Sequence, residues 1–325
     1  LPKKLKNSIT QNTILNIMDK SETYTITKED LAPIFGEITD RVAKKIKEID
    51  LQYTKITLEE RDECIRRIVE TLLSPQLEVV GEHRHEKWEK GWTQNLEALQ
   101  GDAQNPLLPR YKNDPISRWK QEFIRPVKER FDEVVLAIIL EWIYEKYMKD
   151  ASVIYNFGCG TGHHLLQLQA VNPTARLVGL DWTEASQKII AEIVKKGMLK
   201  NTTGRNFNFF EPDRSLKLEP ESVVYTIAAL EQVGKRHEAF VDYLLEQKPA
   251  LCVHVEPIAE VLDPSNLLDF LSIEYFKKRN YLWGFLTRLR ELEAQGKVKI
   301  HNAQRTFLGA NTFVDHYSVI VWSPL

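Results

Sequence analysis

Val153-Ile154-Tyr155-Asn156-Phe157-Gly158-Cys159-Gly160-Thr161-Gly162 runs from a buried-strand pattern into a glycine-rich turn, and the helical stretch His163–Ala170 follows. Glycines at such a turn let the backbone bend sharply and approach a ligand closely. Their spacing separates the ligands. A dinucleotide fingerprint is GxGxxG, with the pyrophosphate over the helix N-terminus. Here the third glycine comes one residue early, giving GxGxG, and His163 stands where that glycine would be. No Gly-Lys-Ser/Thr follows, so a P-loop is excluded too.

Downstream of this run, short β-rich segments alternate with helical ones: Arg176–Asp181, Phe207–Phe210, Ser222–Ile227 and Leu251–Val255 follow a first strand over Ser152–Phe157. That alternation implies a parallel sheet with helices on both faces. The tail reads as a closing hairpin, Val298–Leu308 and Asp315–Trp322, which inserts one antiparallel strand. Upstream, residues to about 150 read as helical. Thr27 to Asp30 and Thr57 to Glu60 carry the capping-box spacing. A further helix is expected from about Glu82 to Leu99. Pro106, Pro109 and Pro115 mark a linker, and a last helix is expected over Arg125–Tyr147.

The GCGTG loop after a buried strand resembles motif I of the class I (Rossmann-like) S-adenosylmethionine-dependent methyltransferases. The likeness runs from about Asp150 to the C-terminus. It implies an α/β, doubly wound, mostly parallel seven-stranded sheet over 151–325; the residues before it read as a helical N-terminal domain over 1–105 and a linker with a lid helix over 106–150. The implied cofactor is S-adenosyl-L-methionine, held by Asn156, Gly158, Cys159, Gly160, Gly162, Asp181, Trp182, Asp213 and Ala229. Asp181 ends the second strand, where an acidic residue can accept hydrogen bonds from both ribose hydroxyls. Trp182 takes the place of the family's apolar residue on adenine, and Asp213, ahead of Glu211, that of the acid at the adenine amino group. Ala228-Ala229-Leu230-Glu231-Gln232 resembles the "ALEH" wording of small-molecule members, with Gln232 replacing the His. Asn156 stands where the family usually has Asp or Glu, bringing an amide but no charge.

In an open α/β sheet, ligands bind at the carboxyl ends of the strands, which puts Glu231, Gln232, Glu256 and Pro257 at the cleft. Methyl transfer from a sulfonium needs chiefly in-line positioning. A hydroxyl acceptor also needs its proton removed, and His suits that near neutral pH. The catalytic candidates are His254, His237, Glu256 and Glu231, with His316 a further histidine. His254 and Glu256 lie two apart on the fifth strand and share a face. The insertion at about Pro264–Gly296 carries Tyr275, Phe276, Tyr281, Trp283 and Phe285 among Lys277, Lys278 and Arg279. If it lines the cleft, that basic trio favours an acceptor with a carboxylate or phosphate. Arg110, Tyr111, Arg118, Trp119 and Arg125 crowd a segment that family members often fold over the cofactor.

The Asn/Asp-Pro-Pro-aromatic motif of DNA amino-methyltransferases and the Pro-Cys of cytosine C5 enzymes are both absent. The expected reaction is O-methylation of a polar small molecule or saccharide. N-methylation of a small amine or protein side chain stays open, as does a non-catalytic scaffold. A dehydrogenase is disfavoured by the glycine spacing.

With 325 residues, 43% hydrophobic, and a formal net charge of −2, the chain has ample core and no general excess of cations for phosphate neutralisation. No nucleic-acid partner is expected. Three widely spaced cysteines give neither a disulfide framework nor a CxxC metal site, and no His/carboxylate spacing calls for a metal. A reducing, cytoplasmic setting is expected. No apolar run is long enough for a membrane span. The chain opens at Leu1, which reads as a processed or excised product.

Overall fold

The computed structural model describes residues 22–101, 104–108, 114–309, 311–315 and 317–325. Strand β1 (Thr23–Ile26) leads into helix α1 (Lys28–Phe35), then α2 (Asp40–Ile49), β2 (Leu51–Lys55) and α3 (Leu58–Leu73). The predicted capping box opens α3: Thr57 Oγ1 accepts the Glu60 N–H at 3.1 Å, and Glu60 Oε2 accepts the Thr57 N–H at 2.8 Å. One 3₁₀ turn (Glu82–Arg84) feeds α4 (His85–Gln100), followed by β3 (Ser117–Trp119), β4 (Glu122–Pro126) and α5 (Phe131–Tyr147).

This region is not purely helical. Its four strands form an antiparallel sheet in the order β1-β2-β4-β3, and two of them lie where a linker and the start of a helix were expected. Arg125 sits in β4 opposite Thr54 rather than in a helix. The strands are short and pair across long sequence separations, Tyr53 with Pro126 for example, so no local periodicity reveals them.

Helix α5 is buried over most of its circumference because the N-terminal helices cover one side and the main sheet the other. Phe35 stacks on Trp142 with ring centroids 4.5 Å apart. Glu141, which interrupts the apolar run, is buried on α5 and accounted for: Arg41 bonds one oxygen, while Lys45 (3.0 Å) and Gln167 (2.8 Å) reach the other. This cluster ties α2 to α5 and the core.

The main sheet follows in chain order: β5 (Val153–Phe157), α6 (His163–Val171), β6 (Arg176–Asp181), α7 (Glu184–Lys195), β7 (Thr202–Asn206), β8 (Val223–Ile227), α8 (Glu238–Gln247), β9 (Leu251–Glu256), α9 (Leu267–Arg279), α10 (Phe285–Ala294), β10 (Val298–Arg305) and β11 (Ser318–Pro324). Its seven strands lie in the order β10-β11-β9-β8-β5-β6-β7. Only β11 runs against the rest, antiparallel to both β9 and β10. The expected parallel sheet with a closing hairpin is present.

One strand is displaced from its expected place. Phe207–Phe210 is not a strand; β7 is the preceding, mostly polar Thr202–Asn206 at the sheet edge. The phenylalanines instead pack under the strand ends, Phe207 against Phe157 at 4.6 Å and Phe209 against Phe240 at 4.8 Å. Apolar side chains cover both faces of the sheet, as doubly wound packing requires. Ile154 and Val253 face α5 and its neighbours, whereas Tyr155, Phe157 and Ile320 face α8 and α10.

Candidate functional site

The turn after β5 is held by backbone bonds to the end of β6. Leu180 O accepts the N–H of Gly158 (2.7 Å) and of Cys159 (2.9 Å), and Asp181 Oδ2 accepts that of Gly160 at 2.9 Å. Two of its glycines are required by geometry. Gly158 has φ +73, and a Cβ there would lie 2.3 Å from the Ala229 Cβ. Gly160 has φ +51, and its Cβ would lie 3.0 Å from the Trp92 ring. Both conformations disfavour side chains. Asp181 is buried, its second oxygen accepting from Thr183 N (3.0 Å) and Oγ1 (2.8 Å). Burial pushes its carboxyl above the usual range despite those bonds.

A cavity of about 430 Å³ opens at this carboxyl edge of the sheet, within the range of small-molecule sites. Gly158, Cys159, Gly160, Asp181, Trp182 and Ala229 line it, as does Glu231. Trp182 and Phe210 stand 5.8 Å apart on one wall. Ala228, also in the lining, has φ +45, an uncommon conformation for a residue with a Cβ.

Gly162, Asp213 and Asn156 are not among the cavity-lining residues. Gly162 packs towards Ile190 beneath α6. Asp213 is exposed and its Oδ1 accepts the Ser215 N–H at 2.9 Å in a local turn just after Phe210, which does line the cavity. Asn156 is buried within the sheet; its Nδ2 faces Tyr225 O at 3.4 Å, and its Oδ1 has no hydrogen-bond donor among the described residues.

The four catalytic candidates separate in the same way. His254 is buried, with Nδ1 2.9 Å from Thr226 Oγ1 and its ring against Phe285 and Trp322. Burial alone lowers its pKa to about 3, so it is neutral near pH 7. His237 is buried with Nε2 3.0 Å from Trp283 O, and burial lowers its pKa as well. Neither histidine lines the cavity. Glu256 is also outside the lining and buried; it accepts backbone N–H bonds from Ala229, Leu230 and Glu231, each at 3.1 Å. Glu231 alone of the four faces the cavity, where its Oε1 accepts from Gln232 Nε2 at 2.7 Å. His316, Arg110 and Tyr111 lie outside the described residues.

The N-terminal region supplies a wall that the sequence reading did not assign. Arg84, Trp88 and Trp92 line the cavity from the start of α4. Their spacing of four residues puts them on one helical face, a usable signal. Helix α4 is docked firmly: Glu89 accepts the Glu184 and Ala185 N–H groups at the start of α7 (2.8 and 3.0 Å), and His85 Nε2 meets Trp182 O at 3.1 Å. From the insertion, Arg279 and Tyr281 reach the cavity, whereas Lys277 pairs with Glu274 and Lys278 with Leu72 O. Arg118 is a core residue bonded to Leu268 O, Ser272, Thr312 O and Phe313 O. His163 and His164, adjacent to the glycine loop, also line the cavity. Burial, then the Arg130 charge, lowers His163 to about 4.

No helix among the described residues is long and apolar enough to cross a membrane. No known protein family matches the chain, and no curated protein matches it. Solved structures similar to it include an O-methyltransferase from neocarzinostatin biosynthesis in complex with S-adenosylmethionine and 2-hydroxy-5-methyl naphthoic acid. That pair shares 17% identity over 60% of this chain and 57% of the other, with a TM-score of 0.42. The match thus spans less than two thirds of that chain. The N-methyltransferase NodS from Bradyrhizobium japonicum WM9, in complex with S-adenosylhomocysteine, shares 10% identity over 71% and 98% of the two chains, with a TM-score of 0.44. Magnesium protoporphyrin IX methyltransferase from Synechocystis PCC 6803 shares 13% over 59% and 83%, with a TM-score of 0.40. The strand order, with the single reversed strand β11 inserted between β9 and β10, gives this chain the class I S-adenosylmethionine-dependent methyltransferase fold.

Proposed function

We propose that the chain is an S-adenosylmethionine-dependent methyltransferase acting on a hydroxyl of a polar small molecule or saccharide. One observation carries this reading: the glycine turn after β5, Asp181 at the end of β6 and Ala229 after β8 line a single cavity. The residues suit such a cofactor. The loop is cleared of side chains where Gly158 meets Ala229 and Gly160 meets Trp92. Asp181 can accept from ribose hydroxyls, and Trp182 with Phe210 offers aromatic surface to adenine.

When bound, S-adenosylmethionine supplies an electrophilic methyl group on a cationic sulfur. Glu231 is the candidate base, because it alone of the four candidates lines the cavity. Its carboxylate takes the proton of the acceptor hydroxyl. The deprotonated oxygen would then be the nucleophile for that methyl group, with the cofactor held by the turn at Gly158 and Gly160, by Asp181 and by Trp182. Glu256 is a positioning residue, fixing the backbone that carries Glu231. Trp88 and Trp92 add apolar aromatic surface to the cavity wall. An amine acceptor delivered neutral would need no such base.

Calorimetry with S-adenosylhomocysteine, with NAD as a control, tests the cofactor assignment. Micromolar binding of the first and none of the second is expected. Failure to bind S-adenosylhomocysteine removes the proposal, and a scaffold role for the fold would then stand. With binding established, methyl transfer to a panel of hydroxylated and amino acceptors separates oxygen from nitrogen chemistry.

A further inference from the structure

We infer that the acceptor carries an anionic oxygen group, a carboxylate or a phosphate, held by Arg84, Arg279 and the Trp88 indole at the end of the cavity beside Glu231. This deepens the methyltransferase reading and rests on it. The three side chains come from separate elements, the 3₁₀ turn before α4, α4 itself and the C-terminus of α9, and all three line the same cavity.

Their hydrogen bonding is incomplete in a directional way. The Trp88 Nε1–H and the Arg279 Nε–H are buried donors that find no acceptor among the described residues. Buried donors are normally satisfied. Both side chains line the cavity, and because the two nitrogens are closed to water, a small side-chain shift would bring them onto a ligand's acceptor atoms. Arg279 spends its other nitrogens on Glu78 O and on the Tyr281 hydroxyl at 3.3 Å, which are neutral partners. Arg84 is buried; one nitrogen bonds the Gln232 amide oxygen, and Nε lies 3.3 Å from Glu78. That carboxylate is shared with Lys87 at 2.6 Å. Two guanidiniums and an ammonium therefore gather about the carboxylates of Glu78 and Glu231. Among the described residues lining the cavity, Arg84 and Arg279 are the guanidiniums, while Asp114, Asp132, Glu133, Asp181 and Glu231 are the carboxylates; a ligand anion would pair with the two arginines.

The geometry also suits the anion type. A guanidinium presents parallel N–H groups that match the paired oxygens of carboxylate or phosphate. Gln232 links Arg84 to Glu231 through its two amide atoms, bonding each. An acceptor anchored at Arg84 and Arg279 would thus hold a hydroxyl within reach of Glu231. The Trp88, Trp92 and Tyr281 rings offer flat walls for the ring bearing that hydroxyl. The acceptor class is therefore a ring-borne hydroxy acid or hydroxylated phosphate, bound in preference to neutral polyols.

The test is calorimetry on protein saturated with S-adenosylhomocysteine, using salicylate against salicylamide, glucuronate against glucose, and glucose 6-phosphate as the phosphate arm. At least one anion is expected to bind about tenfold or more tighter than its neutral counterpart, the scale of a hydrogen-bonded charged group. Arg279→Gln should erase that preference and leave S-adenosylhomocysteine affinity unchanged. Trp88→Phe, which keeps the ring and removes only the N–H, should weaken the same anion severalfold and covers the case of a poorly folded arginine variant. Absence of anion preference across all pairs, or its survival in both variants, overturns the inference. Failure of S-adenosylhomocysteine itself to bind would instead sink the methyltransferase reading.

Discussion

Glu256 holds the backbone of Glu231: its Oε2 accepts the Glu231 N–H at 3.1 Å, while Oε1 takes those of Ala229 and Leu230 at the same distance. A fully buried carboxylate at the end of β9 thus fixes the turn after β8, and with it the acid that faces the cavity. Two residues named together by their place at the carboxyl edge have different work. One is internal scaffolding and the other lines the cavity.

Glu256 should make stability depend on pH. Burial, followed by the charge of Glu231, pushes it up to about 7. With a folded pKa above the unfolded value, its stabilising contribution is fully present below about 4.5 and is lost as pH rises through about 7. Glu256→Gln stays neutral throughout but offers one acceptor oxygen where three N–H groups converge. Urea unfolding should show the variant less stable than wild type by about 1–3 kcal/mol at pH 5. The gap should narrow towards pH 8, because wild type alone loses this contribution. A gap that does not change with pH would refute the assignment.

Gly158→Ala should damage both fold and cofactor site. Its new methyl would meet the Ala229 Cβ at 2.3 Å, a contact that requires backbone movement. The expected cost is about 1–3 kcal/mol of stability, with S-adenosylhomocysteine binding at least tenfold weaker. Gly197→Ala is the control, since Gly197 has φ +71 and nothing within 4 Å. It should show only the left-handed backbone penalty of about 1–2 kcal/mol and normal binding. Equal behaviour of the two variants by unfolding and calorimetry would deny the loop its special role.

Much of the core was legible because its signals are local. Arg176–Asp181 is a short, nearly continuous buried run ending in an acidic tip, and Thr57 caps α3 through a box that any reader of Thr-x-x-Glu can place. The missed parts depend on distant partners. Thr202–Asn206 is a strand because β6 lies beside it, not because its polar residues favour one. Phe207–Phe210 carries strand-like composition but is drawn into the aromatic cluster around Phe157 and Phe240. Site assignment met the same limit. The place of Asp181 at a strand end was readable, whereas nothing near His254 in sequence announces that Phe285 and Trp322 enclose it.

Asp181→Ala should weaken S-adenosylhomocysteine by about 1.5–3 kcal/mol, the range for hydrogen bonds to a charged group. Methylthioadenosine, which keeps the ribose and lacks the amino-acid tail, should lose a similar amount. Part of the effect is indirect, because Asp181 also accepts the Gly160 N–H and steadies the loop. Asp181→Asn retains an acceptor oxygen and should fall between. Calorimetry with both ligands decides the matter: a loss confined to S-adenosylhomocysteine would move Asp181 to the tail.

Glu231→Gln is the test of the proposed base, and the buried histidines sharpen it. An amide cannot accept the hydroxyl proton, so methyl transfer to an identified hydroxyl acceptor should fall by about 10²–10⁴-fold. S-adenosylhomocysteine affinity should be nearly unchanged. Folding should survive, since the Glu231 backbone N–H that Glu256 accepts is retained. His254→Ala and His237→Ala should behave oppositely, lowering stability because each empties a packed site against Phe285, about 2–4 kcal/mol by analogy with other large-to-small core changes. Their rates in the folded fraction should stay within a fewfold of wild type. The low pKa of His254, about 3, means that it cannot produce an acidic limb near pH 6–7. Sign follows from burial: a histidine whose folded pKa is depressed adds stability above its unfolded value near 6.5 and loses it as pH falls below. Acid should therefore unfold the protein rather than protonate a working imidazole. A pH–rate profile with an acidic limb near 6–7 that disappears in either histidine variant would return the base to that residue and dismiss Glu231.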